Sequence, residues 1–272
     1  MLRKILHKPQ ALIGLLMIAL VLFAALFAPM LAPHDPNEMN IINLYDKPSM
    51  QYPLGTDEMG RCILSRLIHG ARASMALALP SLLFLAIVST VIAAVCAYAG
   101  GIPDKIFDIV SNIFMAFPPF LIAATLVGTF ESNHTSIVLS IVIAMWVWSA
   151  RIIRTFVLSE KNKPYITTCR MSGCGEARIL FLHVIPNILP HLIVYFSTSL
   201  AGIIIMISSY AFLGMGLDTG TAEWGAMFVN AKQLIFSHAE LLIYPGMCIL
   251  FAAAGFNLFG EALRDICQPK EV

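Results

Sequence analysis

The chain has 272 residues, 58% of them hydrophobic and only 12% charged, with a mean hydropathy of +0.81. A soluble domain carries about 25% charged residues, so this composition excludes a soluble globule and indicates an all-α polytopic membrane protein. The formal net charge of +1 excludes the strong basic patch that a nucleic-acid partner requires.

A membrane-crossing helix needs about 20 mainly apolar residues. Six segments qualify, at 11–31, 74–98, 106–128, 135–153, 191–213 and 241–263. The first follows the basic stretch RKILHK but is longer than a signal-peptide apolar core, so it is expected to be a retained span. The next stretch, PHDPNEMNIINLYDKPSMQYP, is rich in turn formers and reads as an extended loop. LGTDEMGRCILSRLIHGARASM follows. Thr56 or Asp57 can cap a helix there, and Met59, Ile63, Leu67 and Ala71 step at fours. Arg61, Ser65 and Arg72 fall largely off that apolar stripe. The expectation is an amphipathic helix on the membrane surface, whose arginines either anchor it at the interface or contact ligand. This divides the chain into 1–73, holding the tail, first span and loop, and 74–272, a five-span core.

The third span contains Phe117-Pro118-Pro119-Phe120, where the missing backbone donors predict a kink or break facing other helices or a cavity. Asp104 and Asp108 flank its end. The spans carry no row of Asp, Glu or His, and no paired acids or HExxH motif. Charged groups kept within a bilayer are mostly functional. Their scarcity argues against proton- or sodium-driven transport and against intramembrane proteolysis. The chain also has no GxxxxGK[ST] motif, so ATP chemistry, if used, belongs to another polypeptide.

Between spans four and five, residues 158–190 include YITTCRMSGCGEARILFLHVIPN. Pro164 suits a first helical turn. Residues 165–172 then form a short helix, Gly173 stops it, and Glu176 starts a second helix that Pro186 ends or kinks. Such an elbow either fits a groove on a soluble partner or is a structural hairpin. The loop at 214–240 predicts a short helix after Thr221 or Ala222. It offers Glu223, Trp224 and Asn230 to a cargo path or to an interfacial belt. Asn257 in the last span makes an interhelical hydrogen bond or lines that path. Six spans place both ends on one side. Arg151, Arg154, Lys161, Lys163, Arg170 and Arg178 mark that side as cytoplasmic.

Residues 165–187 resemble the cytoplasmic EAA loop of permease subunits of ATP-binding-cassette importers. Tyr165, Gly173, Arg178 and His183-Val184-Ile185-Pro186-Asn187 match in order and spacing. Thr168-Cys169 stand for Ala-Ala, and Pro164 stands where that family has Glu. Further segments are similar to the dipeptide/oligopeptide/nickel permease family, C-type subunit: LGTDEMGRCILSRLIHGARASM, MAFPPFLIA, SYAFLGMGL followed by EWG, and FNLFGEALRDICQP. The resemblance implies a type I importer permease fold in a bacterial cytoplasmic membrane, with a homologous second permease as heterodimer partner. It further implies two cytoplasmic ATPases holding ATP and Mg, an extracytoplasmic binding protein, and no cofactor, metal or catalytic group on this chain. Carried onto this sequence, the ATPase-coupling residues are Tyr165, Thr168, Cys169, Ser172, Gly173, His183, Pro186 and Asn187. The pathway candidates are Glu223, Trp224, Asn230, Asn257, Pro118 and Pro119. TAEWG with NAKQ looks closer to nickel-type subunits, which suggests nickel or a metal–chelator complex as cargo, with di- or oligopeptides as the alternative.

Overall fold

Lipid offers a backbone no hydrogen-bond partner, so each span must satisfy its own N–H and C=O groups, and a helix does so. The computed structural model describes residues 8–130, 133–218 and 220–267. In chain order the helices are α1 (Pro9–Leu26), α2 (Ala28–Leu31), α3 (Ile63–Ala99), α4 (Gly101–Met115) and α5 (Pro119–Thr129). They continue with α6 (His134–Lys161), α7 (Pro164–Met171), α8 (Glu176–Phe212), α9 (Met227–Ala231) and α10 (Glu240–Cys267).

Among the described residues, α1, α3, α6, α8 and α10 are each long and apolar enough to cross a membrane, and α4 with α5 makes a sixth, broken span. Of the kink or break expected from the sequence, the structure has a break, with the two halves meeting at 78°. Pro119 disfavours the helical conformation at the residue before it, and Pro118 is accordingly extended, with ψ 132°. Helix α5 then restarts with Pro119 in its first turn, where no donor is missed.

One expectation is corrected. No separate surface helix precedes the second span. Residues 54–62 form a turn closed by a bridge between Thr56 and Cys62, and α3 then runs unbroken from Ile63 through residues 73 and 74 to Ala99. The stretch between Ile63 and Ser74 contains neither proline nor a glycine in a left-handed conformation, so nothing stops the helix. At Pro186, where the sequence offered an end or a kink, the helix does not end. A π turn at Leu180–Val184 directly precedes it, and the helix continues from Ile185 to Phe212. The wider turn shifts the hydrogen-bond register just where Pro186 cannot donate. At 37 residues each, α3 and α8 are about 55 Å long. Both outrun the ~30 Å hydrocarbon core.

Helix α3 lies along α6, α8 along α10, and α10 along α1, while α8 also meets α3 and α5 covers α6. The chain thus closes on itself, its first span packed against its last. One apolar cluster fills the middle and the end that carries the long loops, with Leu85, Ile141, Ile203 and Tyr210 at its centre. A second surrounds the α7 end, with Ile153, Val157, Ile166 and Val184 fully buried.

The contact between α1 and α10 depends on glycine. A Cβ at Gly14 would lie 2.6 Å from the Phe259 backbone nitrogen, and one at Gly255 would lie 2.9 Å from the Met17 Cβ. Small residues at such a crossing let two backbones approach, which is how helices gain packing energy in lipid. Gly14→Leu is therefore expected to cost about 1–3 kcal/mol through overpacking. Gly202→Ala, where a Cβ meets nothing within 4 Å, should gain about 0.5–1 kcal/mol. Denaturation of the purified chain in detergent checks this; equal effects at the two sites would count against the close crossing.

Candidate functional site

Helix α7 is short and lies between two spans. Lys163 is extended, with ψ 146°, and Pro164 opens the helix. At the far end the Ser172, Gly173 and Cys174 amides donate back to Thr168, Arg170 and Cys169 carbonyls. Gly173 turns the chain with φ +81°, and a Cβ there would meet nothing within 4 Å. The position thus needs glycine for its left-handed backbone, not for space.

Both ends of α7 are tied down. Tyr165 is half-buried, and its hydroxyl donates to Glu160 Oε1 at 2.6 Å while accepting from Asn187 Nδ2 at 2.8 Å. Glu160 is buried at the end of α6 and also pairs with Lys163 at 2.7 Å. Burial, reinforced by the hydrogen bond to Glu160, pushes the Tyr165 phenol up to about 12, so it stays a donor across physiological pH. At the other end Arg170 Nε and Nη2 reach Glu176 Oε1 and Oε2 at 2.6 and 3.0 Å.

Along the helix, Ile166 is fully buried and Cys169 half-buried against the second apolar cluster. Thr168, Ser172 and Gly173 face outward with Met171, which is 85% exposed. The exposed hydroxyls of Thr168 and Ser172 bond to the Pro164 and Thr168 carbonyls. Apart from Met171 and Arg170, the outward face therefore carries small uncharged groups, which suits docking rather than chemistry. His183 is half-buried and Pro186 exposed on α8, and Asn187 alone of that trio reaches back to α7. The pattern reading missed Glu160 and Arg170. The available signal was a carboxylate closing a long apolar span, but its distance from Tyr165 matches no regular helical repeat.

Among the described pathway candidates, Glu223 and Trp224 pack on α3. Glu223 is 1% exposed, takes the Ser74 hydroxyl at 2.7 Å, and takes the Ala226 amide at 2.8 Å. Trp224 is buried and donates from Nε1 to the Leu67 carbonyl at 2.9 Å, its ring filling the space left by Gly70. Both residues fasten the loop to α3. Pro118 is exposed and Pro119 half-buried at the span break, and Asn257 is exposed on α10. The side chain of Asn230 lies outside the described residues. Beside the break, a groove of about 550 Å³ between α5, α8, α9 and α10 is lined by Phe120, Ser208, Phe212, Phe228 and Gly246, among others.

The long-loop end holds the greatest concentration of buried charge. Arg61 and Arg66, expected at a membrane surface, are instead 2% and 1% exposed. Asp57 explains this. Its Oδ2 lies 2.7 Å from Arg61 Nε and 3.5 Å from Arg66 Nε, and its Oδ1 accepts the Met59 and Arg61 amides at 2.9 Å. Arg66 also donates to the carbonyls of Pro36, Gly220 and Thr221 at 3.1, 3.5 and 3.4 Å. One guanidinium thus joins the first loop, the 54–62 turn and the 213–226 loop. Next to this cluster a cleft of about 510 Å³ is lined by His69, Arg72, His134 and Asp218, with Arg61 in its wall. The outer histidines are dispersed: His34 stacks on Tyr52, and His238 lies against Tyr45 and Glu240.

Residues 86–271 match the family described as binding-protein-dependent transport system inner membrane component, and residues 1–48 match the N-terminal TM domain of oligopeptide transport permease C. The di/tripeptide transport system permease protein of Pseudomonas aeruginosa is 34% identical over 97% of this chain and 89% of that protein. The nickel transport system permease protein of Escherichia coli K12 is 31% identical over 94% of this chain and 93% of its own length. The metal-staphylopine import system permease protein of Staphylococcus aureus is 29% identical over 99% and 93%.

Removing one member of a buried ion cluster costs about 3–5 kcal/mol. Arg66→Met is expected to fall in that range and to open the 33–62 loop to protease. Arg72→Met, at an exposed position, should change stability by less than about 0.5 kcal/mol. Thermal melts with limited proteolysis test the pair, and a protease-resistant loop in Arg66→Met would refute the three-loop clasp.

Proposed function

The chain belongs to the binding-protein-dependent inner-membrane transport family as an ATP-binding-cassette importer permease, and on that premise we propose that α7 is its contact with a cytoplasmic ATPase. The observation that carries this reading is the geometry of α7. It is a helix of 8 residues whose exposed face carries Met171 among small side chains, held at one end by Tyr165 to α6 and α8 and at the other by Arg170 to α8. A helix fixed at both ends passes on a push that a loose loop would absorb. Thr168, Ser172 and Gly173 supply the docking face, while Tyr165, Cys169 and Asn187 hold it in place. The remaining assembly follows from this role: a homologous second permease, two ATPases carrying Mg and ATP, and an extracytoplasmic binding protein. The basic residues Arg151, Arg154, Lys161, Lys163, Arg170 and Arg178 at the α7 end support a cytoplasmic placement of that end, with both termini on the same side. The buried Arg66 clasp and its cleft then face the binding protein.

For cargo, the Thr221-to-Gly225 and Asn230-to-Gln233 segments support nickel or a metal–chelator complex, and the nickel and metal-staphylopine permeases are similar along their length. Di- or tripeptide is the second reading, favoured by the 34% identity to the Pseudomonas di/tripeptide permease. A chelated metal and a short peptide are alike in size and polarity, so one permease pathway suits either. Calorimetry on the cognate binding protein with nickel, nickel–histidine and dialanine separates the readings. Tight binding of dialanine alone would overturn the metal assignment.

A bulky residue in a left-handed conformation costs roughly 1–2 kcal/mol, on the order of a tenfold change in an equilibrium. Gly173→Trp is expected to lower uptake by the assembled importer by at least about tenfold while the chain still inserts. Parent-level uptake would refute the coupling role of α7.

A further inference from the structure

The Arg170–Glu176 pair spans the Gly173 elbow and does not end there. Tyr98, in the last turn of α3 and 8% exposed, donates its hydroxyl to Glu176 Oε2 at 2.5 Å. Lys161, at the end of α6, donates to the Tyr98 carbonyl at 2.5 Å and sits 5.3 Å from the centre of its ring. Four helices therefore meet in one polar chain: α7 through Arg170, α8 through Glu176, α3 through Tyr98 and α6 through Lys161.

Stability alone does not account for it. The Arg170 and Glu176 side chains are 44% and 56% exposed, and exposed ion pairs contribute about 0–1 kcal/mol. Geometry is what sets the pair apart. It is bidentate, which fixes direction as well as distance, and it bridges the Gly173 elbow, where a Cβ would touch nothing and Cys174 packs inward against the second apolar cluster. The pair adds a polar brace across the elbow to the Tyr165–Asn187 tie at the other end of α7. The buried Tyr98 roots the bridge in α3, one of the two helices that run the full depth of the bundle.

We propose that Arg170, Glu176 and Tyr98 are positioning residues that stiffen the α7–α8 elbow and carry displacement of α7 into the end of α3. The inference rests on the reading of α7 as the ATPase contact. It makes the elbow a strut joining three helices, so that ATPase movement reaches α3 as well as α8.

Amide hydrogen exchange on the assembled importer, compared between ADP and ATP with vanadate, tests the strut without knowledge of the cargo. In the parent complex, exchange at residues 164–171 and at 94–99 should both differ between the nucleotide states. In Tyr98→Phe and in Glu176→Gln the difference at 164–171 should persist while that at 94–99 falls to less than half. A merely structural role would shift 94–99 equally in both states and leave the difference intact. A parent-sized difference at 94–99 in both variants, or no difference there in the parent, overturns the strut alone. No difference at 164–171 in the parent overturns the ATPase contact and the strut with it.

Discussion

Glu160 accepts the Tyr165 hydroxyl and pairs with Lys163 at the end of α6, and this contact fixes where α7 leaves the bundle. A buried carboxylate is expensive unless donors surround it, so the chain cannot let Tyr165 drift without exposing that cost. Asn187 completes the arrangement by donating to the same phenol from α8. The first turn of α7 is thereby referred to two spans at once, and Ile166 fills the apolar space beneath it. The helix that faces the aqueous side is consequently an extension of the bundle and not a loop attached to it.

The opposite end solves the same problem with the opposite charge. There two guanidinium groups are buried around Asp57; Arg61 also reaches Glu58, and Arg66 donates to backbone carbonyls of two loops. Polar chemistry is thus concentrated at the two ends, while apolar packing and glycine-mediated contact hold the middle. Helices α3 and α8 run between the ends as continuous rods, so a displacement at one end has a mechanical route to the other. The broken third span is the exception. Its 78° bend at Pro118-Pro119 brings α5 over α6, with Phe120 stacked on the buried Tyr210.

The spans were legible because each is an apolar run of bilayer length, a property that local sequence carries almost alone. The short helix and its elbow were legible for a related reason, since Pro164 and Gly173 act through their own backbones. What stayed hidden depended on distant partners. Arg61 and Arg66 read as surface groups because nothing near them in sequence shows that Asp57 folds back under them or that residues 36 and 220–221 bring carbonyls to Arg66. Glu223 and Trp224 read equally as a cargo path or an interfacial belt, because an acid beside an aromatic residue in a loop is ambiguous and only α3 supplies Ser74, Leu67 and Gly70 as their partners. At Pro186 the choice between an end and a kink stayed open, because a π turn that absorbs a missing donor leaves no mark in the residue pattern.

The central claim is that the exposed face of α7 touches the ATPase, and photo-crosslinking from position 171 in the assembled importer tests it most directly. Met171 is 85% exposed beside Ser172 and Gly173, whereas Met39, 60% exposed, lies at the other end of the bundle. A photoreactive side chain at 171 is predicted to attach to the ATPase, and one at 39 is not. Attachment of the ATPase from 39, or from neither position in a complex that still hydrolyses ATP, would contradict the account.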